Sequence, residues 1–218
     1  MDPSFWLARW EANEIGFHQP DINPYLPRYW PRLQAPHAGR VFVPLCGKSR
    51  DMLWLTGEGY RVIGVEISPI AVQAFFAESD LQPQVDADDR FRVHRTAEIT
   101  LLEGDFFDLR QADLGHPVAV YDRASLIALP PEMRQRYARH LAALLLPGTP
   151  VLLITLDYPQ AEMDGPPFAV TSAEVAELYA ADFSIAALPG QDILAESPGF
   201  KARGLTRLTE QAYQLVRR

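Results

Sequence analysis

The chain predicts a doubly wound α/β fold, a mostly parallel sheet with helices on both faces. Three observations carry this: a strand-loop-helix-strand unit over residues 41–68, a carboxylate at the end of that unit's second strand, and further apolar runs that alternate with helical segments. In the first unit Val41-Phe42-Val43 is a short β-branched run, and Pro44 stops it because proline has no amide to donate. The loop Leu45-Cys46-Gly47-Lys48 follows. Ser49 or Asp51 can cap the next helix, whose apolar positions Met52, Leu53 and Leu55 lie near one stripe until Gly57 and Gly59 end it. Tyr60 to Val65 is a second buried-type strand, and Glu66 stands at its end.

A carboxylate about 20 residues beyond a glycine loop suits a ligand that carries a nucleoside. The loop lets the backbone approach the ligand, and the carboxylate can accept hydrogen bonds from both ribose hydroxyls. Here the loop reads PLCG, not G-x-G-x-x-G, so it lacks the glycines that cradle a pyrophosphate at a helix top. A cofactor with a ribose and no phosphate fits better, S-adenosylmethionine being the common one. The plain alternative is an acid that merely ends a strand.

The 218 residues suffice for one domain with a full core. Lys and Arg number 20 against 28 Asp and Glu, a net charge of -8 that argues against a nucleic-acid partner and for a small-molecule one. Cys46 is the only cysteine, which suits a reducing compartment. The segment MDPSFWLARW has neither a basic n-region nor an apolar h-region, and no apolar run reaches spanning length. The expectation is a cytoplasmic protein without membrane partners. No apolar surface stripe stands out in the sequence, which favours a monomer.

Residues 1–38 form an arm rich in aromatic residues and proline, with Trp6 and Trp10 four apart on one helical face. These rings either staple the arm to the core or form a lid, with Trp10 over a cofactor and Phe17-His18 facing a planar substrate. Beyond Glu66, Ser68 caps a helix that Pro69 opens and that runs to Ser79. Residues 80–97 are polar and read as a solvated loop; the run Asp86-Ala87-Asp88-Asp89 lacks the twelve-residue ligand pattern of a calcium loop. Thr100 to Glu103 is a third strand leading to Asp105-Phe106, where Asp105 either accepts from an adenine amino group beside Phe106 or caps the short helix that follows.

Pro117 to Asp122 is a fourth strand, an almost continuous apolar run as a sheet centre requires. It brings Asp122 and Arg123 to the strand's carboxyl end, the ligand side of an open α/β sheet. A helix from Pro130 to Leu146, a fifth strand over Val151–Leu156, a stiff loop containing Gly165-Pro166-Pro167-Phe168 and a helix capped by Ser172 come next. Phe183–Leu188 and Leu205–Val216 read as a closing hairpin at the sheet's edge.

Taken in order, Trp10, Phe17-His18-Gln19, VFVPLCGKSRDMLWL, VIGVEIS, DFFDL, YDRASLIALPP and GPPF resemble the thiopurine S-methyltransferase family over essentially the whole chain. The resemblance implies a class I methyltransferase fold with a seven-stranded sheet whose last strand is antiparallel. It further implies S-adenosylmethionine as donor, no metal, and an aromatic or heterocyclic thiol such as 6-mercaptopurine as acceptor. Carried over by position, Trp10, Leu45, Glu66, Asp105, Phe106 and Arg123 are expected at the cofactor, and Phe17, His18 and Arg123 at the substrate. Residues 80–97 and 191–203 match least. The short N-terminus resembles bacterial members, which are also linked to methylation of selenium and tellurium compounds.

Methyl transfer from a sulfonium to a thiolate cancels charge and needs alignment more than acid-base chemistry, so no obligatory catalytic residue is expected. Arg123 serves either the thiolate or the donor's carboxylate, and Cys46 belongs to the cofactor loop, not to a covalent mechanism. Two alternatives from other classes are a nicotinamide-dependent oxidoreductase, which PLCG disfavours, and a non-catalytic nucleoside-binding protein.

Overall fold

The N-terminal arm is the part of the chain least like an α/β unit, and its rings explain how it attaches. The computed structural model describes residues 3–16 and 18–218, and Cα proximity divides the chain into two units, 1–121 and 122–218. In the first unit the arm forms helices α1 (Pro3–Glu11) and α2 (Tyr25–Tyr29), followed by a 3-10 turn over Trp30–Leu33. Tyr25 and Tyr29 stack at 5.4 Å, and Trp30 meets Tyr60 and Tyr121 edge-on at 5.6 and 6.4 Å. The buried carboxylate of Asp51 adds a polar anchor. Its Oδ1 accepts from the Asn23 amide at 2.8 Å and its Oδ2 from the Tyr121 hydroxyl at 2.9 Å. For these rings the staple is what the structure shows.

The core of the unit follows as β1 (Arg40–Val43), α3 (Asp51–Gly57), β2 (Arg61–Glu66), α4 (Pro69–Glu78), β3 (Gln84–Ala87), β4 (Arg92–Arg95), β5 (Ile99–Glu103), α5 (Gln111–Leu114) and β6 (Ala119–Arg123), and the last strand carries the chain into the second unit. The strand order is β3-β4-β5-β2-β1-β6. Strands β5, β2, β1 and β6 are parallel, with Val41 opposite both Val62 and Ala119. The order turns back at β1: later strands first add on its β2 side, and then β6 on the other. That turning point is where open α/β sheets take ligands, beyond the carboxyl ends of the strands. Ser68 caps α4 as its sequence indicates, its Oγ accepting from the Ala71 amide, and α1 lies against α4.

Residues 80–97 depart from expectation. They form an antiparallel hairpin, β3 with β4, and β4 pairs antiparallel with β5. Polar composition hid it, because β3 is an edge strand exposed along its whole length, with no buried face to leave an alternating pattern. The acidic run serves the hairpin tip. Asp88 Oδ1 accepts from the amides of Arg90 and Phe91, both at 2.8 Å.

The second unit contains α6 (Pro131–Leu144), β7 (Pro150–Asp157), α7 (Ser172–Tyr179), β8 (Phe183–Ala187), β9 (Gln191–Asp192), α8 (Pro198–Ala202) and β10 (Thr209–Arg217). Strand β10 runs antiparallel between β7 and β8, and β9 adds to it. The last strand is thus antiparallel, as expected. The expected seven strands are β1, β2, β5, β6, β7, β8 and β10; the hairpin strands β3 and β4 and the two-residue β9 supplement them. Helix α7 begins at Ser172, but its cap is Thr171, whose hydroxyl accepts from the Glu174 amide at 3.2 Å. Among the described residues no helix is long and apolar enough to cross a membrane.

Candidate active site

The site grows from the turn after β1. Pro44 ends the strand, Leu45 takes a left-handed backbone with φ of 43°, and Gly47 does the same with φ of 51°. For a leucine that conformation costs about 1–2 kcal/mol, a strain that persists only where its surroundings impose it. The surroundings are visible. The Cys46 amide donates to the Val65 carbonyl at 3.0 Å, and the Gly47 amide donates to Glu66 Oε2 at 2.9 Å. Glu66 Oε1 takes the Ser68 amide at 2.8 Å. One carboxylate therefore fixes the loop after β1 to the start of α4.

Glu66 is 6% exposed, and burial raises its pKa, opposed by the amides of Ser68, Gly47 and Ile67. Burial, with the Glu66 charge beside it, also pushes the Cys46 thiol up. Cys46 is therefore a neutral packing group and not an activated thiolate. Its sulfur occupies the space left by Gly64, where an added Cβ would stand 2.7 Å from Sγ.

Trp10 reaches the same loop: an added Cβ on Gly47 would stand 3.5 Å from Trp10 Cζ2. Asp105 and Phe106 arrive from the neighbouring strand. Glu103 pairs with Glu66 across β5 and β2, and the Gly104 amide donates to the Glu66 carbonyl at 2.9 Å. Asp105 Oδ1 caps the following 3-10 turn by accepting from the Phe107 amide at 2.9 Å. Phe106 is packed into the core, its ring parallel to that of Phe42 with centroids 6.5 Å apart. Trp10, Leu45, Glu66, Asp105 and Phe106 are thus gathered around the carboxyl ends of β1, β2 and β5. Gly47, Gly64, Ser68 and Gly104 complete the arrangement. Sequence reasoning placed Gly47 in the cofactor loop and read Ser68 as a helix cap, and gave Gly64 and Gly104 no site role.

His18 borders the residues that follow Gly47 in the chain. It lines a cavity of about 150 Å³ with Pro20, Lys48, Arg50, Phe75, Glu78 and Ser79, where Lys48 Nζ meets Glu78 at 2.6 Å. None of the five gathered residues lines that cavity. Phe17 lies outside the described residues.

In the second unit Arg123 is half-buried at the end of β6, ahead of Ala124 with φ of 65°. Asp122 stands beside it at the carboxyl end of β6, as expected, with its side chain in the core. It is fully buried and takes the Tyr137 hydroxyl at 2.8 Å on Oδ2, and burial raises its pKa to about 6 against the hydrogen bonds of Tyr137 and Ser125. The loop after β7 is bound by its own side chains. Tyr158 Oη donates to the Pro167 carbonyl at 2.6 Å, Gln160 Oε1 accepts from the Ala169 amide at 2.9 Å, and the buried Arg134 donates to the Leu129 and Ala169 carbonyls at 2.8 and 3.1 Å. Arg134 also pairs with Glu174.

A parallel sheet that turns back at β1, an acid at the end of β2 and a final antiparallel strand define a class, and solved structures agree. The chain superposes on an S-adenosylmethionine-dependent methyltransferase from Anabaena variabilis with a TM-score of 0.69, covering 99% of this chain and 95% of that one at 16% identity. A Burkholderia thailandensis 1,6-didemethyltoxoflavin N1-methyltransferase, solved with 1,6-didemethyltoxoflavin and S-adenosylhomocysteine, gives 0.63 over 97% of this chain and 86% of that one at 18% identity. The fold is that of the class I, S-adenosylmethionine-dependent methyltransferases. Within that class the chain belongs to the thiopurine S-methyltransferase family, whose sequence model matches residues 1–218. A thiopurine S-methyltransferase of Nitrosospira multiformis is 53% identical over 218 residues, covering 100% of this chain and 99% of the relative.

Proposed function

We propose that this chain transfers the methyl group of S-adenosylmethionine to the sulfur of aromatic or heterocyclic thiols such as 6-mercaptopurine, leaving S-adenosylhomocysteine. The observation that carries the donor half is Glu66. It is a buried carboxylate at the carboxyl end of β2, held by the Gly47 and Ser68 amides beside a strained loop and an aromatic ring. A carboxylate oxygen has two acceptor sites, so amide bonds to each oxygen leave capacity for the ribose hydroxyls. Asp105 beyond β5 is assigned to the adenine amino group, and Trp10 to a wall over the donor. The PLCG loop lacks the pyrophosphate cradle of a dinucleotide enzyme, and family membership leaves the oxidoreductase alternative without support.

The donor supplies an electrophilic methyl on a sulfonium; the thiolate sulfur forms the new bond to carbon as the old sulfur–carbon bond breaks, and the two charges cancel. This chain's residues have only to hold the partners in line and keep water out. Arg123 is assigned to an anionic group of donor or acceptor, and Phe17 and His18 to the acceptor side. The acceptor class rests on the family relatives, and methylation of selenium or tellurium compounds is the second reading of the same chemistry. The match over residues 1–218 supports reading the chain as one catalytic domain, to which no resident metal is assigned. A monomer in the cytoplasm, without nucleic-acid or membrane partners, fits the net charge of -8 and the lone cysteine.

Calorimetric titration with S-adenosylhomocysteine, and in parallel with NADH, is the test. Micromolar binding of the first and none of the second is expected, and Glu66→Ala should weaken it by about 1–3 kcal/mol, the scale of hydrogen bonds to a charged group. Formation of S-methylated 6-mercaptopurine then separates an enzyme from a nucleoside-binding protein. Unchanged affinity in the Glu66→Ala protein removes the ribose assignment.

A further inference from the structure

The β3–β4 hairpin, unforeseen from sequence, ends against the turn that carries Asp105 and Phe106. Arg90 at its tip makes the connection. Its guanidinium donates to both carboxylate oxygens of Asp113 at 2.7 and 2.8 Å, and Nη1 also donates to the Asp108 carbonyl at 2.7 Å. Asp113 Oδ2 in turn takes the Arg110 amide at 2.7 Å, closing the start of α5. The hairpin tip presses on the same turn from the other side. An added Cβ on Gly104 would stand 2.6 Å from the Phe91 ring and 2.8 Å from the Arg90 carbonyl, so this glycine exists to let the tip approach. Gly104 is also the residue whose amide donates to the Glu66 carbonyl at 2.9 Å. Residues 104–113 are therefore fixed at one end to β2, and from Asp108 onward to Arg90.

We propose that Arg90 is a positioning residue of the donor site: through Asp108 and Asp113 it sets the turn that presents Asp105 to the adenine end of the donor. This deepens the donor-site reading above and rests on it. A bidentate guanidinium–carboxylate pair fixes an angle as well as a distance, which is what a turn needs if its acid is to meet one edge of a ring. Arg90 need not touch the donor, so its effect belongs to donor affinity and not to the chemical step.

The test is calorimetric titration of S-adenosylhomocysteine into the full-length protein and its Arg90→Ala and Arg90→Lys variants, with steady-state constants for donor and 6-mercaptopurine. For Arg90→Ala we expect about tenfold weaker binding and a donor KM raised in proportion, with kcat and the thiol KM unchanged. Arg90→Lys, a point charge without the fork, should fall between the two. Should Arg90→Ala fail to fold, Asp113→Asn removes one carboxylate oxygen and leaves the bond to Asp108, and a smaller loss in the same direction is expected. Donor binding within about twofold of wild type in whichever variant folds overturns the proposal, as does a thiol KM that rises with the donor KM. Wild-type protein that binds no S-adenosylhomocysteine instead overturns the donor-site reading, and the positioning role falls with it.

Discussion

Two segments, residues 41–68 and the loop from Asp157 to Ala169, are built on opposite plans. In the first, one carboxylate gathers backbone amides. Glu66 holds Gly47 and Ser68, and both partners lie within the same strand-loop-helix-strand unit. In the second, side chains reach backbone and one another across long sequence separations. Arg134 on α6 holds Leu129, Ala169 and Glu174, and Glu162 accepts both the amide and the hydroxyl of Thr206 at 2.8 and 2.7 Å. Backbone amides are present whatever the side chain, so the first plan depends on one acid and a chain path. The second depends on several particular side chains at once, and is open to change one residue at a time.

The strongest way to break the comparison is Arg134→Ala. Arg134 is 1% exposed, and its removal leaves two carbonyls and the half-buried Glu174 carboxylate without this donor, a loss of about 3 kcal/mol by urea denaturation for several hydrogen bonds from one charged group. A loss below about 1 kcal/mol would mean that Tyr158 and Gln160 hold the loop unaided.

The next test uses Asp122, beside Arg123 in the second unit. Its pKa is raised to about 6, so the native state holds this proton more tightly than the unfolded chain. The stabilising contribution is fully present below the ordinary value of 3.8 and is lost as pH rises through about 6. A difference of two units amounts to about 3 kcal/mol. Unfolding free energies of wild type and Asp122→Asn, measured from pH 4 to 7, should diverge by that amount, with the variant flatter. Parallel curves would show that Tyr137 and Ser125 fully offset the burial.

The smallest effect sharpens the picture of the first unit. Ser68→Ala removes the cap of α4 and should cost about 1 kcal/mol in thermal unfolding, while the Ser68 amide still donates to Glu66. Donor affinity is then expected to stay near wild type. A large loss of affinity would show that the hydroxyl, and not the backbone, sets the carboxylate.

The parts of the first plan were legible in the sequence because each leaves a local mark. Pro44 stops a strand, Gly47 permits a left-handed turn, Ser68-Pro69 opens a helix, and an acid ends an apolar run. Asp105 was legible as one of two things, and the structure shows the cap while leaving the adenine role to the titration. The hairpin at 84–95 was not legible, since an edge strand exposed along its length carries no hydrophobic alternation. Nor was Asp51, offered with Ser49 as a helix cap and instead a buried anchor for Asn23 and Tyr121, or the burial of Asp122 against Tyr137.

By itself the sequence determined the parallel α/β plan, the acid at the end of β2, the antiparallel closing strand and the family. Period, proline and glycine punctuation and motif spacing are properties of neighbouring residues and survive without coordinates. Only the tertiary structure decided which partners each charged side chain takes: Glu66 with two amides, Asp122 with a tyrosine, Arg134 with a loop, Arg90 with the turn beyond β5. A buried charge is stable only where several groups from distant segments converge on it, and that convergence exists only once the chain has folded.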